Sequence, residues 1–252
     1  MGIWLMIAGA NLAVGALVGL CGVAGFLLPM FYTASLGMGV SEGLALSFAA
    51  FIVSGILGAW NYKKAGNLDV RFAWKLSVGS LIGAVVGVRL NLIIPEEQVK
   101  MLLYLVVLLS GISIILRKDK ERNTEKAGPS IENNLPLTLF LGFVTGAICS
   151  MSGAGGPVLV MPLLVVFGVP VRTAVGVALF NSIFIGLPAV IGYLGQCDWK
   201  KILPILFVAL IFHGVGVFYG SKNAARVNQV ILKRGIAIFS IAIAICKLTG
   251  IF

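Results

Sequence analysis

Charge is what this 252-residue chain has least of: Asp, Glu, Lys and Arg together make up only 11% of it. A soluble domain carries about 25% charged residues, and a particle of this size cannot cover itself with so few. Hydrophobic residues reach 59% and the mean hydropathy is +1.06. These values exclude the soluble globular class, whereas a lipid-facing surface needs no charged cover.

Acids are scarcer still, nine against nineteen basic residues, for a formal charge of +10. Glu42, Asp69, Glu96, Glu97, Asp119, Glu121, Glu125, Glu132 and Asp198 all fall in loops or at the ends of apolar segments. A carrier of cations, or one with a carboxylate proton relay, commonly places an acid in mid-membrane. Its absence favours an anionic or neutral cargo. The basic excess reads as loops held at an anionic membrane face, not as a nucleic-acid surface.

Catalytic and metal-binding signatures are missing too. Cys21, Cys149, Cys197 and Cys246 form no CxxC pair and no metal-ligand spacing. There is no GxGxxG in a strand–helix context, no P-loop and no HExxH. No catalytic residue, metal or cofactor is therefore expected. The first residues, Met1 to Asn11, carry no Lys or Arg before their apolar run, which reads as a retained helix and not a cleaved signal.

What the chain has instead is long apolar, Gly-rich runs. A spanning helix needs about 20 apolar residues. Candidates lie at 3–21, 43–60, 72–94, 98–116, 173–194, 202–220 and 229–248. Shorter runs at 24–38, 136–151 and 157–168 contain or abut Gly and Pro and read as broken or re-entrant segments. Trp60, Tyr62, Trp74 and Trp199 sit near segment ends, as belt aromatics do. A solvated stretch, 117–135, divides the chain into an N-terminal repeat (1–116) and a C-terminal repeat (136–252).

The two parts repeat each other. At an offset of 133 residues Gly22 falls on Gly155, Pro29 on Pro162, Gly43 on Gly176 and Ile52 on Ile185. At an offset of 129, Gly66 falls on Gly195, Asp69 on Asp198 and Gly87 on Gly216. Counting basic residues with five segments per half puts thirteen on one side, from Lys63, Lys64, Arg71, Lys75, the central stretch and 222–234. Arg89, Lys100, Arg172, Lys200, Lys201 and Lys247 fall on the other. The basic side is then cytoplasmic and the second repeat is inverted relative to the first. The expected fold is an all-α polytopic membrane protein of two inverted repeats, multi-pass in the cell (inner) membrane.

Paired breaks interrupt the runs: Gly22-Val-Ala-Gly25 with Pro29, and Ser150-Met-Ser-Gly-Ala-Gly-Gly-Pro157 with Pro162. Glycine permits sharp turns and close approach of a ligand to backbone. A half-helix opened by Pro157 offers free N–H groups and a positive dipole end. Gly22, Gly25, Ser150, Ser152, Gly153, Gly155 and Gly156 are the candidate anion-binding residues; tight helix crossing is the alternative use of such residues. Asn181 and Ser182 would hydrogen-bond an oxyanion or join helices. Arg89 would pair with an anion or snorkel to the interface. His213, the sole histidine, would carry a coupling proton or lie neutral against a backbone carbonyl.

Several of these landmarks together resemble the TauE/SafE family of sulfite and organosulfonate transporters. They are Ser152-Gly-Ala-Gly-Gly156 leading to Pro162, then Val169-Pro170, Gly176-Val-Ala-Leu179 and Gly195-Gln-Cys-Asp198-Trp199. The first half echoes them with Gly43-Leu-Ala-Leu46 and Gly66-Asn-Leu-Asp69. The resemblance implies a secondary transporter of sulfite or of a small organosulfur or carboxylate anion, working by alternating access. Its partners would be that anion, the lipid bilayer, a coupling proton through His213, and a second copy of the chain if the small residues also pack between molecules. A membrane enzyme using Cys21 and Cys149, and a passive anion channel, are the alternatives.

Overall fold

The computed structural model describes residues 2–22, 24–95 and 134–224, with isolated positions between 97 and 131 and between 226 and 249. The expected segments 98–116 and 229–248, and nearly all of 117–135, lie outside the described residues. Among those described, all regular structure is helical. The helices are α1 (Gly2–Cys21), α2 (Leu27–Met30), α3 (Val40–Lys64), α4 (Val70–Ile93), α5 (Leu135–Ser152), α6 (Gly156–Val166), α7 (Val171–Leu194) and α8 (Trp199–Asn223). Six of them, α1, α3, α4, α5, α7 and α8, are long and apolar enough to cross a bilayer.

The run 136–151, expected from its length and its Gly and Pro to be broken or re-entrant, is instead an unbroken helix, the 18-residue α5. Asn134 caps it, accepting from the Leu137 N–H, and Pro136 occupies its first turn, where a missing N–H costs nothing. The other two short runs stay short. Residues 24–35 form a 3₁₀ turn, the four-residue α2 and a π turn, and α6 has 11 residues, about 16 Å.

The carboxylates near helix ends have a local structural task. Asp69 accepts from the Phe72 N–H at the start of α4, and Asp198 from the Lys200 N–H at the start of α8. These two, matched in the repeat, are both N-caps. Glu42 accepts from the Gly39 N–H at the start of α3.

Glycine sets the packing. In lipid, apolar side chains gain nothing by meeting each other, so helices associate by close contact and small residues. A Cβ on Gly79, Gly83 or Gly87 of α4 would strike the carbonyl of Leu139, Phe143 or Ala147 of α5, so these two helices run parallel. Gly216 and Gly220 of α8 meet the carbonyls of Leu12 and Ala16 in the same way, making α1 and α8 a second parallel pair. Gly55 of α3 lies against Leu179 and Ile183 of α7, and Gly176 against Tyr62 and Asn67 at the far end of α3, so α3 and α7 are antiparallel. The first long helix of each half thus packs on the last described long helix of the other.

These directions define two faces. Lys63 and Lys64 end α3, Arg172 begins α7 and Lys222 ends α8, all on one face. Arg172, counted above with the opposite side, therefore joins the basic face: the half-helix α6 returns the chain there before α7 begins. Tyr62 is corrected as well. It is not a belt residue but is buried, its hydroxyl donating to the Leu20 carbonyl at 3.3 Å. Trp60, Trp74 and Trp199 are exposed near helix ends.

The turn before α8 lies at the other face. There the Cys197 thiol is pushed up to about 11 by burial and by the negative charge of Glu42. A raised thiol pKa keeps the reactive thiolate scarce at neutral pH. In a variant with Cys197 as the sole cysteine, maleimide labelling should still accelerate between about pH 8 and pH 10, and Glu42→Gln should speed it at fixed pH. A rate already level by pH 8 would contradict this environment. Packing has its own test. Gly83→Leu should lower the melting temperature sharply, by overpacking worth about 3 kcal/mol or more, while Gly9→Leu, with nothing within 4 Å of the added carbon, should leave it unchanged.

Candidate binding site at the glycine breaks

The two breaks meet at one aromatic ring. Phe51 stands midway along the 25-residue α3 and is 2% exposed. A Cβ on Gly25 would lie 3.0 Å from one edge of its ring, and a Cβ on Gly155 3.1 Å from the other. Gly22 has φ +74° and faces Val175 and Pro157, and Gly153 has φ +75° and faces Leu44 and Pro29. Gly155 also has φ +75°. At such φ a side chain is strained, so the matched pair Gly22 and Gly155 share a positive φ as well as a residue type.

Gly156 opens α6 beside the middle of α7: a Cβ there would lie 2.9 Å from the Ser182 hydroxyl and 3.3 Å from the Ala178 carbonyl. The N-cap of α6 is Gly155, which has no side chain; the Val158 N–H turns back to the Gly155 carbonyl and the Leu159 N–H meets the Cys149 sulfur. The positive end of the α6 dipole therefore points into the protein centre at mid-height of α3 and α7.

Asn181 is the unusual side chain here. It is fully buried, and neither its oxygen nor its nitrogen has a hydrogen-bond partner among the described residues. Such groups are rare because burial without a partner is costly. Ser77 of α4 is also fully buried and unpartnered. Gly192 of α7 faces Val88 of α4, and Trp74 packs on Phe180 and Phe184, so the two helices run together. Eleven residues earlier on each, three turns back on nearly the same face, stand Ser77 and Asn181. Helix register thus sets three unpaired polar atoms at one level of the α4–α7 interface.

The remaining expected residues are placed differently. The Ser150 hydroxyl donates to the Ala84 and Ala147 carbonyls, each at 3.1 Å, and its own carbonyl accepts from the Tyr193 hydroxyl at 2.7 Å, so Ser150 ties α5 to α4 and α7. The Ser152 hydroxyl accepts from the Ala154 N–H and shapes the turn. Arg89 is exposed on α4, one turn before its end, and is not brought to the breaks. His213 is fully buried, its Nε2 2.5 Å from the Ser54 hydroxyl, one turn along α3 from Phe51. Its Nδ1 makes no hydrogen bond of full geometry; the Asn11 backbone is its polar neighbour. Asn11 itself donates to the Tyr32 hydroxyl at 2.7 Å, which links α1 to the segment after the first break.

Phe51, Ser77, Asn11 and Ser54 were missed by sequence reading. Asn11 left a signal, an amide inside an apolar run; Phe51 left none, because an aromatic in a spanning helix is ordinary. Among the described residues no group of His, Cys, Asp and Glu is set to hold a metal, and Cys21 and Cys149 are both buried and in no disulfide.

The unpaired and paired polar groups respond oppositely to removal. Asn181→Leu should raise the melting temperature, since it removes a desolvation cost of about 1–3 kcal/mol. Tyr193→Phe should lower it, because the Ser150 carbonyl loses its donor. Thermal unfolding in detergent gives both signs, and a fall for Asn181→Leu would show that its amide is paired.

Comparison with known proteins places this architecture. The family model for the sulfite exporter TauE/SafE matches residues 3–246. The probable membrane transporter protein YdhB of Bacillus subtilis is 22% identical over 227 residues, covering 88% of this chain and 91% of the relative. A probable membrane transporter protein of Haemophilus influenzae is 25% identical over 251 residues, covering 92% of each. One from Methanocaldococcus jannaschii is 33% identical over 119 residues, 44% of this chain and 43% of its own. No solved structure matches the chain. A multi-pass membrane protein matched over nearly its whole length, it belongs to the sulfite exporter TauE/SafE family.

Proposed function

We propose that this protein is a secondary carrier of a small anion, sulfite or an organosulfur or small carboxylate anion, bound where the two glycine breaks meet. The family and the names of its relatives are those of membrane transporters and not of enzymes. The reading rests above all on Asn181: a fully buried amide with both polar atoms unpaired, next in sequence to the residue that faces the uncapped start of α6. An oxyanion supplies what that centre lacks, since it accepts from the amide nitrogen and suits a positive dipole end.

Movement follows from the packing. The parallel pairs α1–α8 and α4–α5 and the antiparallel pair α3–α7 support two repeats of opposite orientation, and movement of one part of the bundle against another would expose a central site to each face in turn. The basic face is the cytoplasmic one on this reading, in a cell membrane. His213, bonded to Ser54 next to the Phe51 turn, is the group that would couple a proton to the same movement.

The test is flux into proteoliposomes with radiolabelled sulfite, thiosulfate, sulfoacetate, short dicarboxylates and chloride. Saturable entry of one sulfur or carboxylate anion is expected. Asn181→Leu should cut it about tenfold or more, as loss of a hydrogen bond to a charged group does, in protein that is no less stable. No flux across the panel would overturn the carrier reading, and undiminished flux in Asn181→Leu would move the site elsewhere.

A further inference from the structure

Three cations converge on one cavity at the basic face. It measures about 440 Å³, and its lining includes Lys64 at the end of α3, Arg172 at the start of α7 and Lys222 at the end of α8. Among the described residues no carboxylate lines it. The ion pair found among the described residues, Lys201 with Asp198, lies at the other end of α8. All three cations are exposed, and the Lys64 ammonium rests 5.0 Å from the centre of the Trp60 ring.

The walls are of another kind. Trp60, 59% exposed, and Phe218, 42% exposed, both line the cavity. Aromatic residues at the ends of spanning helices stand at the level of lipid headgroups. A cavity with apolar walls, a cationic rim and no acid concentrates anions, because charges of one sign beside low-dielectric walls focus their field. Arg172 adds a planar fork that matches two oxygens of one anion. Tyr62 closes the inner side: it lines the cavity, is buried, and bonds to Leu20, two residues before Gly22.

We propose that this cavity is an oxyanion-binding site at the basic membrane surface, taking either the phosphate of an anionic phospholipid or a free phosphate-like anion. Basic pockets between spanning helices hold such headgroups. Tyr62 separates the site from the glycine breaks, and its existence does not depend on what those breaks bind.

The experiment is thermal unfolding of the delipidated full chain in neutral detergent at low salt. The probes are inorganic phosphate, phosphatidylglycerol and, as the uncharged control, phosphatidylcholine. Saturable stabilisation by at least one anionic probe is expected. Its midpoint concentration should rise about fivefold in Arg172→Gln and by a similar factor again when Lys222→Gln is added. Arg172→Lys, which keeps the charge but not the fork, should fall between the native chain and Arg172→Gln, and Gly9→Leu should retain the whole response. Stabilisation by phosphate marks a free anion as a ligand; stabilisation by phosphatidylglycerol alone marks the lipid. If the double variant does not fold, Lys222→Gln alone decides the matter. An unchanged midpoint in the folded variants, or no preference for either anionic probe over phosphatidylcholine, overturns the proposal.

Discussion

Backbone-to-backbone contact through glycine is the constraint on which this structure depends. Surrounded by hydrocarbon, a spanning helix has no hydrophobic reason to choose a protein neighbour over a lipid. The choice is made by Gly79, Gly83 and Gly87 on one pair of helices and by Gly216 and Gly220 on another, each set against a carbonyl of the facing helix. Because the pairs form between halves, neither half encloses a core of its own. The buried cluster runs from Val14 and Val18 of α1 through Phe48 and Phe51 of α3 to Val177, Ala178 and Tyr193 of α7.

Polar residues then fix what glycine brings close. The Ser80 hydroxyl reaches the Gly142 carbonyl, the Asn91 amide the Met151 carbonyl, and the Tyr193 hydroxyl the Ser150 carbonyl, all between helices of different segments. A hydroxyl or amide in an apolar environment must find a partner, and these have done so. Asn181 and Ser77 stand apart because they lie within the same fabric and have not. That contrast among the described residues, and not polarity as such, is why the proposed site is drawn at Asn181 and not at the many bonded serines.

Much of this was legible in the sequence. Composition gave the membrane class, and Gly-Ala-Gly-Gly-Pro inside an apolar run gave the break itself, where one helix ends at Ser152 and another opens at Gly156. The matched Asp69 and Asp198 pointed to corresponding helix starts, and each proved to cap one. What stayed illegible depended on partners distant in the chain. Ser150 looks like a ligand residue until its hydroxyl is seen bonded to Ala84, 66 positions away. Arg172 is a different case: counting the short run 157–168 as a segment already returns the chain to the basic face, so its side was legible and was misassigned.

Phe51 has a further meaning. The residue matched to it at the same offset, Phe184, is no counterpart in place: it packs on Trp74 and Phe180, with 5.0 Å between the Trp74 and Phe184 rings. One half therefore supplies a hydrocarbon wall at the centre, and the other supplies Asn181, Ser182 and the start of α6. A chain that repeats in sequence thus has unlike walls at its centre. On the proposed carrier reading, an anion with a charged head and an apolar tail would lie there one way round only, head toward the second half, so duplication of the sequence would not have produced duplication of the lock.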